Sequence, residues 1–102
     1  MKPEARIRVG IRDLLRQLGW AVYDCEQNRP TRVTAGLSDL IAFHEDPPMV
    51  VFAEIRTPKG RLTEAQEEFG RTCLNAGGTF VVWRSPEEAW RWLETHHGKM
   101  AA

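Results

Sequence analysis

Two apolar runs, Leu40-Ile41-Ala42-Phe43 and Val50-Val51-Phe52-Ala53, stand on either side of Glu45-Asp46-Pro47-Pro48. Short β-branched and aromatic runs separated by a proline-rich tetrapeptide read as a hairpin, with strands over 38–44 and 49–56. Neither run alternates apolar with polar, so the hairpin is apolar on both faces. Both faces must then be covered, which places these strands in a mixed sheet between helices.

The rest of the chain supplies those helices. Ile7, Ile11, Leu14, Leu15 and Leu18 recur at helical spacing over 4–18, and Gly19 ends the run. Residues 20–26 have strand composition, and 27–36, with one proline and two arginines, reads as a loop. Thr63-Glu64-Ala65-Gln66 is a capping box. The helix it opens lines up Ala65, Phe69, Cys73 and Ala76 before stopping at Gly77-Gly78. A strand follows over 79–84, and Ser85-Pro86-Glu87-Glu88 opens a last helix that runs to about His96, with proline at its favoured first position. Residues 98–102 read as a frayed tail. The order is α-β-β-β-α-β-α in one domain spanning 1–102, with no repeat, low-complexity tract or linker.

One acid interrupts each hairpin strand. With the turn centred between Asp46 and Pro47, cross-strand partners have numbers summing to 93, so Asp39 faces Glu54. Directly opposed residues share a sheet face with Cβ atoms about 4.5–5.5 Å apart. Two carboxylates that close repel unless they share a proton or a cation, and hard divalent ions such as Mg²⁺ seek such oxygen clusters. Arg56, two residues beyond Glu54, falls on the same face and brings a positive charge to the acids.

The formal net charge is zero, from 14 basic and 14 acidic residues. This argues against a broad electrostatic footprint for nucleic acid but not against a local one. Arg6, Arg8, Arg12 and Arg16 decorate the first helix, Arg29 and Arg32 fall in the 27–36 loop, and Lys59 and Arg61 flank Gly60. A solvated helix face explains the helical arginines as well as a nucleic-acid contact does. No apolar run is long enough to cross a bilayer and no signal-peptide pattern opens the chain, so cytoplasmic residence is expected, with no membrane partner. Cys25 and Cys73 lack metal-ligand spacing and read as half-buried free thiols. Adjacent His96 and His97 point to different sides of a helix and are not expected to form a metal pair. Trp90 and Leu93 share an apolar face with Ala89. Trp92 falls off that face, which predicts an exposed tryptophan marking a self-association surface.

Gly36-x-Ser38-Asp39-Leu40 followed by Glu54-Ile55-Arg56-Thr57-Pro58-Lys59-Gly60-Arg61-Leu62-Thr63-x-x-Gln66 resembles the virus-type replication-repair nuclease (VRR-NUC) family of the PD-(D/E)XK nuclease superfamily. The resemblance runs from Glu4 to about Trp83 and is most specific from Glu54 to Gln66. It implies a restriction-endonuclease-like α-β-β-β-α-β core, to which this chain adds a C-terminal helix. It further implies Asp39 and Glu54 as metal ligands, the Ile55 carbonyl as a third, Glu4 as an acid able to reach the metal cluster, and Gln66 as a residue that orders the site. The implied cofactor is Mg²⁺ or Mn²⁺. The implied partner is DNA, branched or four-way-junction, and stand-alone members of the family tend to be homodimers.

Two positions depart from the family pattern. Ser38 replaces a proline, where only backbone direction is at stake. Arg56 falls where the family usually has its catalytic lysine. Lysine can shed a proton to activate water, whereas arginine stays charged and only stabilises developing negative charge. Lys59 is the candidate for a migrated lysine. The expected activity is metal-dependent hydrolysis of phosphodiester bonds by Asp39, Glu54, Arg56, Gln66 and Lys59, with Arg6, Arg29, Arg32, Lys59 and Arg61 tracking the DNA backbone, in replication, repair or recombination. Two alternatives stand beside it: a non-catalytic nucleic-acid-binding module disabled by Arg56, and a defence or toxin nuclease.

Overall fold

A computed structural model describes residues 2–25 and 36–96. The expected loop, with Arg29 and Arg32, lies almost wholly outside the described residues, as do His97 and the tail from Gly98.

Pro3 opens α1 (Pro3–Gln17) at a position where its missing N–H costs nothing. β1 (Ala21–Asp24) follows, then the hairpin of β2 (Leu40–Glu45) and β3 (Pro48–Ile55). Thr63 and Gln66 form the expected reciprocal capping box on α2 (Glu64–Asn75). β4 (Phe80–Trp83) and α3 (Pro86–His96) complete the chain. At the start of α3 the Ser85 hydroxyl accepts the Glu88 N–H, but the Glu88 carboxylate reaches the N–H of Arg84 rather than that of Ser85.

The sheet order is β1-β2-β3-β4, with β1, β2 and β3 antiparallel and β3 parallel to β4. The β2–β3 register pairs Leu40 with Ala53, Ala42 with Val51 and His44 with Met49, so every pair sums to 93 as expected. One face carries Val22, Leu40, Ala42, Val51, Ala53, Ile55, Val81 and Trp83 into a core closed by Ile11 and Leu15 of α1 and by Ala89 and Leu93 of α3. Burying a Val, Leu or Ile side chain contributes about 1.5–3 kcal/mol, so this face supplies most of the hydrophobic stabilisation.

The opposite face departs from the expectation that both would be covered. Phe69 of α2 packs between Phe52 and Phe80, with ring centroids 5.8 and 5.9 Å away, and Gly70 is buried where an added Cβ would meet the Phe80 ring. A helix of 12 residues is about 18 Å long and spans only part of a four-stranded sheet. Tyr23, Phe43 and Val50 accordingly remain exposed, and Ala65, Phe69, Cys73 and Ala76 line an open groove rather than a closed core.

Trp92 is a second correction. It packs partly buried against the core, edge-on to Trp83 and stacked on His96, because α3 turns that side toward the end of β4. It does not mark an exposed surface. Cys25 and Cys73 are half-buried thiols outside any disulfide among the described residues, as expected. No helix among the described residues is long and apolar enough to cross a membrane.

Candidate metal centre

Asp39 directly precedes Leu40, the last residue paired with β3, and so stands across from Glu54. Both acids point to the α2 side of the sheet and both are buried, Glu54 completely. Three local devices set Asp39 in place. Gly36 has a φ of +90°, and a Cβ there would collide with the Ala65 carbonyl, so only glycine lets this turn lie on the first turn of α2. The buried Ser38 hydroxyl donates to the Leu40 carbonyl at 3.2 Å, so its polar group is satisfied inside the protein. The backbone N–H of Ile55 donates to Asp39 Oδ2 at 2.9 Å, fixing the carboxylate.

Glu54 is held by two partners. Gln66 Nε2 donates to Glu54 Oε2 at 3.0 Å, while Gln66 Oε1 accepts the Thr63 N–H at 2.8 Å. One amide thus caps α2 and orients the acid. Arg56 Nη2 reaches the same Oε2 at 3.1 Å, and Arg56 Nη1 donates to Glu4 Oε1 at 2.9 Å and weakly to the Ile55 carbonyl at 3.5 Å. Glu54 Oε1 and Arg56 Nε remain buried without a hydrogen-bond partner. Burial, then the neighbouring Asp39 carboxylate, push the Glu54 carboxyl up to about 8, and Arg56 only partly offsets them.

Glu4, Asp39, Glu54, the Ile55 carbonyl, Arg56 and Gln66 are therefore linked in one contact network. Lys59 does not join them. It stands exposed on the turn after β3, as does Arg61. Arg6 is also exposed. Arg8 is bonded to Asp24 at 3.3 Å and Arg16 to the Val22 carbonyl at 3.1 Å. Those two arginines tie α1 to β1 and are not part of an open cationic face.

Sequence reasoning missed Arg84. Its Nη1 donates to the Thr57 carbonyl at 2.7 Å and the Gly60 carbonyl at 2.6 Å, pinning the turn that carries Lys59. The only sequence signal was an arginine directly after an apolar strand.

The donor set suits a hard cation. Among the described residues no three His, Cys, Asp or Glu side chains form a ready metal cluster. The oxygens available are two opposed carboxylates, one with a buried oxygen lacking a partner, and a main-chain carbonyl. Such donors fit Mg²⁺ or Mn²⁺ rather than a soft ion. Six oxygens around Mg²⁺ would then be completed by water, which that ion retains readily.

The acid pair thus stands at the end of a β-hairpin, buttressed by the first turn of the next helix, on a core of α-β-β-β-α-β order with a mixed sheet. No family model and no curated protein matches it in sequence. In structure it is similar to a solved chain described as a VRR_NUC domain, with a TM-score of 0.80 over 94% of this chain and 99% of that one, at 15% identity. The fold is thus that of a VRR-NUC domain, in agreement with the motif resemblance.

Proposed function

We propose that this chain is a metal-dependent DNA endonuclease that hydrolyses phosphodiester bonds, with branched or four-way-junction DNA as its preferred substrate and replication, repair or recombination as its setting. The observation that carries the reading is the opposed Asp39–Glu54 pair, with the Glu54 Oε1 atom left buried and without a hydrogen-bond partner. Asp39, Glu54 and the Ile55 carbonyl would hold Mg²⁺ or Mn²⁺, with Glu4 in reach, and the ion would supply a water of lowered pKa and neutralise charge on the attacked phosphate.

The chain's own residues supply position and charge. The Ile55 N–H aims Asp39, and Gln66 aims Glu54. Arg56 offers a planar fork to phosphate oxygens. Exposed Lys59 and Arg61, on the segment that Arg84 pins, contact the backbone of the duplex beside the cut, and Arg6 extends that track. Arg29 and Arg32 belong to the same proposed track. A homodimer would present two such centres to the two strands of a junction.

The test is cleavage of linear, flapped and four-way-junction DNA with Mg²⁺ or Mn²⁺, comparing the parent with Asp39→Asn. Metal-dependent cutting lost in the variant supports the reading. Absence of cutting on every substrate with both metals overturns it.

One observation favours a second reading, a DNA-binding module without catalysis: Arg56 occupies the lysine position and is itself bonded to two of the acids. That reading expects binding without cutting, and cutting awakened by Arg56→Lys.

A further inference from the structure

One guanidinium gathers three of the oxygens that surround the acid pair. Arg56 Nη2 lies 3.1 Å from Glu54 Oε2, and Arg56 Nη1 lies 2.9 Å from Glu4 Oε1 and 3.5 Å from the Ile55 carbonyl. The Arg56 side chain is only 13% exposed and covers Glu54, which is wholly buried. We propose that Arg56 is the resident cation of this centre, and that a divalent ion enters by displacing its guanidinium from Glu54 and Glu4. The inference rests on reading the acid pair as a cation site.

Charge and geometry both argue for exclusion. Mg²⁺ draws oxygens to about 2.0–2.1 Å in an octahedron, whereas the guanidinium holds them at hydrogen-bond distance in one plane. A single set of oxygens does not serve both at once. Two cations on the same carboxylates also repel across a buried, weakly screened space.

The incomplete fit of Arg56 points the same way. Its Nε and the Glu54 Oε1 atom are both buried without partners, so the arginine meets the charge of the cluster without satisfying all of its polar atoms. Each such orphan costs free energy. A group that neutralises a cluster yet leaves donors and acceptors unmet is open to replacement by a ligand that meets them. Release also has a productive end point, because the freed guanidinium lies beside the cation, where a phosphate arrives.

The inference separates Arg56 from a purely structural arginine by what its removal does to metal affinity. A structural arginine that shapes the site leaves a poorer metal site when replaced. A competing cation leaves a better one. Reciprocity also requires that metal weaken the hold on Arg56, since coupling between two ligands acts equally in both directions.

The experiment measures Mn²⁺ binding without DNA, by the electron paramagnetic resonance of free Mn²⁺, for the parent, Arg56→Gln and Arg56→Lys. Arg56→Gln is expected to bind on the order of tenfold more tightly than the parent, within the usual span of coupling between competing ligands. Arg56→Lys falls between them, since an ammonium keeps the charge but lacks the fork that spans Glu4 and Glu54. In the parent, the Nε–H resonance of Arg56 should move on addition of Mg²⁺, with the midpoint of binding. That measurement stands even if Arg56→Gln does not fold. Equal or weaker Mn²⁺ binding in a folded Arg56→Gln protein, or an Arg56 resonance indifferent to Mg²⁺ while the metal binds, overturns the competition and leaves the nuclease reading intact. Failure of parent and variants alike to bind Mn²⁺ overturns both.

Discussion

The side-chain amide of Gln66 donates to Glu54 Oε2 at 3.0 Å while its carbonyl oxygen accepts the N–H of Thr63 at 2.8 Å. Helix capping and site assembly are therefore two ends of one group, and α2 cannot start elsewhere without releasing the acid. Gln66→Glu separates the two roles. The carboxylate still accepts the Thr63 N–H but has no hydrogen to give Glu54, and it adds a like charge. Helix content is expected to survive by circular dichroism while cleavage falls at least about tenfold. Gln66→Leu loses both roles, and loss of its bond to the Thr63 N–H is expected to cost about 0.5–1.5 kcal/mol of stability. Cleavage by Gln66→Glu at the parent rate would show that the amide does not order the acid.

Asp39 has a structural duty besides its proposed one. It accepts the buried Ile55 N–H, so Asp39→Ala leaves that donor unpaired and is expected to cost about 1–3 kcal/mol in urea unfolding. Relief of repulsion with Glu54 acts in the opposite direction and is expected to be the smaller effect. Asp39→Asn keeps an acceptor at the same place, so it should unfold near the parent midpoint yet lose cleavage. Equal stability of the alanine variant and the parent would remove the hydrogen bond from the account.

Gly36→Ala is expected to destabilise by about 2 kcal/mol or more, because it adds backbone strain at φ +90° to a collision with the Ala65 carbonyl. Since this turn delivers Asp39, metal affinity should fall as well. A change in unfolding free energy below about 0.5 kcal/mol, the range of ordinary surface substitutions, would mean that the turn does not rest on α2.

The pH dependence of the metal-free protein follows from Glu54. Its carboxyl is raised from 4.5 to about 8 in the folded protein. Below pH 4.5 folded and unfolded chains both hold the proton. Between 4.5 and 8 the unfolded chain releases it while the folded chain keeps it, so stability falls as pH rises through that window and levels off above it. Urea unfolding in the presence of a chelator, at intervals from pH 5 to pH 8, should show this decline. Glu54→Gln should flatten it. A parent protein that gains stability over the same window would place the proton elsewhere.

Arg84 holds the Thr57 and Gly60 carbonyls, and with them the turn bearing Lys59. Arg84→Ala should weaken DNA binding at least as much as Lys59→Ala, because it loosens the whole turn and not one contact. Binding to a four-way junction, measured by fluorescence anisotropy at fixed salt, checks the order. Full affinity in Arg84→Ala with reduced affinity in Lys59→Ala would limit the effect to the lysine's own charge.

Much of this molecule was written in neighbouring residues. A two-residue turn at Asp46-Pro47 sets every pair in the hairpin, so Asp39 could be placed across from Glu54 by counting. Thr63 and Gln66 announced the start of α2 because a capping box closes within one turn. Resemblance to a known motif, rather than spacing, brought Glu4 and the Ile55 carbonyl into the expected site. What the local sequence could not decide was how the helices dock. Glu4 meets Arg56 across 52 positions of chain, and Arg84 pins a turn more than 20 residues before it. Trp92 turned inward and the Tyr23–Phe43–Val50 face stayed open. Register and caps are fixed by groups a few residues apart, whose geometry the backbone already restricts. The grip of Arg56 on Glu4 and Glu54, and the extent of a sheet that one helix covers, exist only once separate elements pack, since each depends on surfaces that no single element possesses.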